Sequence, residues 1–97
     1  MPSPARILVV EDEARTAEVV EGYLEAQGHT VVRAASGEDA LAAAATRRPD
    51  LVVLDLGLPG MSGGDVCRRL RAQSDVPIIM LTVTEYGRGY VFAEDLG

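Results

Sequence analysis

The stretch Leu51-Val52-Val53-Leu54-Asp55-Leu56-Gly57-Leu58-Pro59-Gly60-Met61-Ser62-Gly63-Gly64 is where the fold declares itself. Four consecutive apolar residues, two of them β-branched, end abruptly at an acid. A segment follows in which Gly57, Pro59-Gly60 and Gly63-Gly64 punctuate the chain as loop and turn. A short apolar run bounded in this way reads as a strand buried on both faces, Leu51 to Leu54. Asp55 then stands at the carboxyl end of that strand, the rim where open α/β sheets bind their ligands.

The same rhythm extends in both directions. Upstream, Ile7 to Val10 is a β-branched run that reads as a buried strand. Glu13 to Gln27 follows as a helix with Ala17, Val20 and Leu24 on one face, and Gly28 is placed to end it as the C′ residue. Thr30 to Arg33 reads as a second strand. Ser36 can cap a helix through Asp39, Ala40, Leu41 and Ala44, which Pro49-Asp50 breaks. Downstream, Asp65 to Ala72 reads as a short helix with Val66, Cys67 and Leu70 inward, and Pro77 precedes a fourth strand, Ile78 to Leu81. The order β-α-β-α-β-α-β with short connections predicts parallel strands joined by right-handed crossovers.

Three strand ends therefore carry polar residues: Glu11-Asp12, Asp55 and Thr82. Singly each has an ordinary reading; Asp12, for instance, serves equally well as the N-cap of the helix beginning at Glu13. Together they bring three carboxylates to one rim. Crowded carboxylates repel one another and hold their protons more tightly unless a cation lies among them. An oxygen-only donor set suits a small hard cation such as Mg²⁺, which also engages phosphate.

The 97 residues make at most one domain, and 47% hydrophobic with 25% charged composition is that of a globular protein. A net charge of −6 argues against a broad electrostatic grip on nucleic acid or an anionic membrane. All nine basic residues are arginine. One cysteine, Cys67, excludes an internal disulfide and fits a reducing compartment, and reads as core rather than as a reactive thiol. Met-Pro-Ser-Pro-Ala-Arg and the four apolar residues after it build neither a secretory h-region nor a membrane span, so a cytoplasmic chain is expected. His29 reads as a solvated loop residue, remote from any transition-metal site. The glycines at 57, 60, 63 and 64 are no nucleotide loop, since no Gly-Lys-Ser/Thr follows.

Ile-Leu-Val-Val-Glu-Asp-Glu at 7–13, the segment at 51–64 and Pro-Ile-Ile-Met-Leu-Thr at 77–82 resemble the response-regulator receivers of two-component systems. The resemblance covers about four fifths of the chain. It implies an α/β, flavodoxin-like receiver fold, incomplete here as a (βα)3β parallel sheet of order 2-1-3-4 over residues 1–82, with a hairpin-like tail at 83–97. It further implies that Asp55 is the phosphoacceptor, phosphorylated by a sensor histidine kinase. Asp12 and Asp55 would ligate Mg²⁺ directly, the backbone carbonyl of Gly57 would be a third ligand, and Glu11 would act through water. Thr82 would be the switch hydroxyl. Receivers also place a lysine, followed by proline, at the end of a fifth strand; neither is present, and the fourth helix, fifth strand and fifth helix lack counterparts.

The tail has its own reading. Gly87 and Gly89 disfavour helix over residues 83–97, and Val-Thr-Glu-Tyr, Gly-Arg-Gly and Tyr-Val-Phe suit a β-hairpin. Tyr86 to Phe92 resembles the final wing hairpin of OmpR-type winged-helix domains, which would imply an internal deletion removing the recognition helix, and with it DNA binding by this chain. A rival alignment lays 83–97 over the family's fourth helix. On the hairpin reading, strand four runs on through Val83 to Glu85 and returns antiparallel as Tyr90 to Phe92, where a parallel fifth strand would otherwise lie. Apolar surface beside the first helix would stay uncovered, so a homo-oligomer is expected. Two other functions stand beside the phosphoaccepting receiver: a non-phosphorylated interaction or dimerisation module, and a phosphatase of haloacid-dehalogenase type. That last family places Asp-x-Asp after its first strand.

Overall fold

The computed structural model describes residues 4–55, 57–83 and 90–95, the backbone alone at 82–83 and 90–95. Eight elements follow one another: β1 Arg6–Val10, α1 Ala14–Ala26, β2 Thr30–Ala34, α2 Gly37–Arg47, β3 Leu51–Asp55, α3 Gly63–Gln73, β4 Ile78–Val83 and β5 Tyr90–Asp95. They form one sheet of order β2-β1-β3-β4-β5. The first four strands are parallel, and β5 is antiparallel to β4 with Leu81 opposite Phe92 and Val83 opposite Tyr90. The antiparallel return expected of the tail is thus present and longer than Tyr90–Phe92; the expected turn at Gly87–Gly89 lies outside the described residues.

The period-2 alternation of strand side chains builds two cores. Leu8, Val10, Val52, Leu54 and Ile78 face α2 and α3, packing with Ala40, Val66, Cys67 and Leu70. Ile7, Val9, Leu51, Val53 and Leu81 face the other way, where Val20 and Leu24 of α1 close over part of them. Burial on both faces explains why β1 and β3 read as unbroken apolar runs. Fully burying one such side chain contributes about 1.5–3 kcal/mol.

Helix ends follow their local chemistry. Ser36 and Ser62 accept from the N–H groups of Asp39 and Asp65, each at 3.1 Å, capping α2 and α3. Gly28, at φ +93°, closes α1: its N–H reaches the Glu25 carbonyl and that of His29 the Leu24 carbonyl, the paired bonds of a Schellman motif. Asp12 does not cap α1. Glu13 holds that position without a side-chain cap bond. His29 is also not a bare loop residue: its Nδ1 accepts the Ala5 N–H at 3.1 Å, tying the start of β1 to the start of β2.

Candidate functional site

The chain leaves β1 for β2 on one side and later enters β3 on the other, so strand order reverses between β1 and β3. Loops leaving adjacent strands there part in opposite directions and open a crevice at the carboxyl ends. Glu11 and Asp12 follow β1 and Asp55 ends β3, which puts all three at that crevice. One carboxylate oxygen from each lies within 4.8 Å of the other two, with Glu11 and Asp55 half-buried and Asp12 exposed.

Backbone donors hold two of the three. The Glu13 N–H donates to Glu11 Oε1 at 3.0 Å, and the Gly57 N–H donates to Asp55 Oδ1 at 2.9 Å. Burial pushes the Glu11 carboxyl up from 4.5 to about 7. The Glu13 N–H opposes that rise; a hydrogen bond shared with Asp55 and the negative charges of Asp55 and Asp12 add to it. Such a cluster fits a hard cation in donor chemistry, all oxygen, and in electrostatics, since a positive ion would relieve the repulsion that raises Glu11.

Of the sequence-derived set, Glu11, Asp12 and Asp55 are brought together, and Gly57 stands beside them through its N–H bond to Asp55. Thr82 follows Leu81, which pairs in register with Asp55, so its backbone stands on the strand beside the acid. Its side chain lies outside the described residues, and β4 continues one residue beyond it. Sequence reasoning passed over Arg33 and Asp39, which share a cleft with Glu11 and Asp12. Their positions at the β2 end and the first turn of α2 were the available signal.

Fold and site together define a doubly wound α/β domain with an acidic cluster at its switch point. The family model for the response regulator receiver domain matches residues 7–95. The DNA-binding response regulator MtrA of Mycobacterium tuberculosis is 54% identical over 77 residues, covering 79% of this chain and 34% of its own length. The transcriptional regulatory protein AfsQ1 of Streptomyces coelicolor is 49% identical over 82 residues, 84% of this chain and 35% of its own. The chain spans about a third of the length of these relatives. Among solved structures, the N-terminal domain of a response regulator receiver protein from Methanoculleus marisnigri superposes with a TM-score of 0.81 at 35% identity, covering 84% of this chain and 69% of its own. The BeF3-activated receiver domain of Klebsiella pneumoniae RstA gives 0.78 at 38%, with 82% and 68% covered. The chain belongs to the response-regulator receiver family, whose members are signalling domains of two-component systems. No helix among the described residues is long and apolar enough to cross a membrane.

Proposed function

We propose that this chain is the phosphoaccepting unit of a response regulator, receiving a phosphoryl group on Asp55 from a sensor histidine kinase with Mg²⁺, in a phosphorelay that controls transcription. The convergence of Glu11, Asp12 and Asp55 at the β1/β3 crevice carries this reading. Phosphoryl transfer asks the protein chiefly for an in-line nucleophile and for charge neutralisation. An Asp55 oxygen forms the new bond to phosphorus while the donor's bond breaks, giving an acyl phosphate. The Gly57 N–H, donating to Asp55 Oδ1, fixes the orientation of that carboxylate, and the Thr82 hydroxyl would bond the transferred group. Asp12, Asp55 and the Gly57 carbonyl would hold Mg²⁺, with Glu11 acting through water, and the bound ion would supply positive charge to offset that of the phosphoryl group. Turnover is limited to self-phosphorylation and self-dephosphorylation, so the chain is not an enzyme in the usual sense.

Residues 1–82 form the receiver portion and 83–97 a hairpin-like tail, although the family match runs on to residue 95 and takes in the returning strand. The chain works in the cytoplasm, contacts neither membrane nor DNA directly, in keeping with its net charge of −6, and self-associates. Support for self-association comes from an apolar groove between α1 and the sheet, lined by Val20, Leu24, Val53 and Leu81, with Val19 and Tyr23 exposed along it. A second reading, an interaction module that is never phosphorylated, is favoured by one observation: the 97 residues contain no lysine. The haloacid-dehalogenase reading gives way to the family match.

Acetyl phosphate with Mg²⁺ separates the two. Intact mass should show one phosphoryl group added slowly, since lack of one preorganised charge-stabilising donor commonly costs about 3–4 kcal/mol. Asp55→Asn should abolish the increment. Labelling that survives Asp55→Asn defeats the assignment, and none in the wild type favours the interaction module.

A further inference from the structure

Beside the carboxylate cluster lies a cleft of about 370 Å³ whose walls include Glu11, Asp12, Asp39 and Arg33. Arg33 is the one cation lining it among the described residues. Arg33 pairs in register with Val9 of β1, which puts it on the α1 side of the sheet, and its guanidinium meets Glu21 of α1 at 3.6 Å. Both side chains are partly exposed (38% and 27%), and an exposed pair at that separation is weak, so the guanidinium can change partners at little cost.

An anion approaching this rim meets three carboxylates already crowded within 4.8 Å, and Asp39 besides. A divalent ion among the three offsets two of their charges and leaves the rim negative. Guanidinium suits the remaining task, because its planar fork binds phosphoryl oxygens in pairs and keeps its charge at any working pH.

We propose that Arg33 is a donor-binding residue: it leaves Glu21 and grips the phosphoryl oxygens of a small phosphodonor entering through this cleft. This rests on Asp55 being the phosphoacceptor. With acetyl phosphate, an Asp55 oxygen forms the bond to phosphorus, the bond between phosphorus and the acetyl oxygen breaks, and acetate leaves with that electron pair. No proton need move.

The test uses the 97-residue chain with Mg²⁺ and inorganic phosphate as an unreactive probe, so that binding is read apart from labelling. Arg33→Ala should weaken phosphate about three- to fivefold, the scale of one exposed charge pair. It should raise the half-saturating concentration of acetyl phosphate by a similar factor while leaving the saturated rate nearly unchanged. Mg²⁺ affinity without phosphate should hold or tighten, because a neighbouring positive charge has gone. Glu21→Gln, which releases Arg33, should move phosphate affinity the opposite way, and Arg33→Lys should restore part of the loss. Unchanged phosphate affinity in Arg33→Ala and Glu21→Gln overturns the proposal, and so does joint weakening of Mg²⁺ and phosphate, which marks a structural role. Labelling of Asp55→Asn by acetyl phosphate bears only on the acceptor assignment, since phosphate binding reads Arg33 independently.

Discussion

Glu11, just past the end of β1, and Asp55, the last residue of the neighbouring parallel β3, bring carboxylate oxygens within 4.8 Å of each other, and Asp55 helps to lift the Glu11 carboxyl to about 7, behind the larger effect of burial. The native fold therefore prefers Glu11 protonated, where an unfolded chain would ionise it near 4.5. The stability this group contributes is fully present below 4.5 and is lost as pH rises through 7. A bound cation reverses the preference by favouring the ionised form. Thermal melts should show that Mg²⁺ raises the midpoint more at pH 8 than at pH 5, and that Glu11→Gln flattens the metal-free slope between them. Equal Mg²⁺ shifts at both pH values would mean that Glu11 is not part of the ion's surroundings.

Asp12 differs from its two neighbours in being exposed, which suits a group that contributes charge rather than packing. Titration with Mg²⁺ should perturb the amide signals of residues 11–12 and 55–57 in the wild type and lose most of that response in Asp12→Ala. Because the side chain makes no cap bond to α1, the variant's unfolding free energy without Mg²⁺ should stay within about 0.5 kcal/mol of the wild type's. Identical titration responses in the two proteins would show that the carboxylates do not act as one site.

How much of this was legible beforehand depends on the range of the interaction concerned. The unbroken apolar runs Ile7–Val10 and Leu51–Leu54 announced strands covered on both faces, and with them the rim on which Glu11, Asp12 and Asp55 meet. Gly28 and Ser36 act within a few residues of themselves, so their spacing was enough to find the end of α1 and the start of α2, whereas Gly63-Gly64 reads as loop and hid the cap at Ser62, two residues ahead of the expected start of α3 at Asp65. His29 was misread because its partner, the Ala5 N–H, is 24 residues away and no local pattern records it. Asp12 had two chemically sound readings, and the Glu11 carboxylate taking the Glu13 N–H shows how the loop folds without needing it as a cap. Arg33 and Asp39 escaped notice because a cleft depends on how two loops are set side by side, which residue type alone does not encode.

Arg48 is the one non-glycine residue with positive φ among those described, at φ 46°, where α2 stops before Pro49. The left-handed region costs an L-residue roughly 1–2 kcal/mol. Arg48→Gly relieves that strain but loosens the unfolded chain, a smaller opposing effect. The net result should be a gain of about 0.5 kcal/mol, read as a higher denaturant midpoint at unchanged slope. Arg48→Val, β-branched at the same φ, should lose more than 1 kcal/mol or so. A glycine variant less stable than the wild type would mean that the Arg48 side chain makes a contribution larger than the strain.

Gly37 couples packing to the site. It opens α2, is buried, and a Cβ there would stand 2.8 Å from Val66 Cγ2 and 3.0 Å from the Met61 Cβ. Val66 is fully buried in α3 and tied into the core, so it has little room to retreat. Met61 lies in the loop that begins with Gly57, and that glycine's N–H orients Asp55. Gly37→Ala should therefore cost about 1–3 kcal/mol by overpacking, despite alanine's better helix propensity. In a chain of this size each kcal/mol lowers the melting point by roughly 4–8 °C. If Met61 rather than Val66 gives way, the displacement travels along the loop, and the Gly57 amide signal should shift in the folded variant. The double variant Gly37→Ala with Met61→Ala separates the two routes. Shortening Met61 should recover part of the lost stability and return the Gly57 signal toward its wild-type position if the loop is what moves. A Gly37→Ala protein as stable as the wild type would show that α2 and α3 can part without cost, and that the close approach at Gly37 is not what seats the loop beneath Asp55.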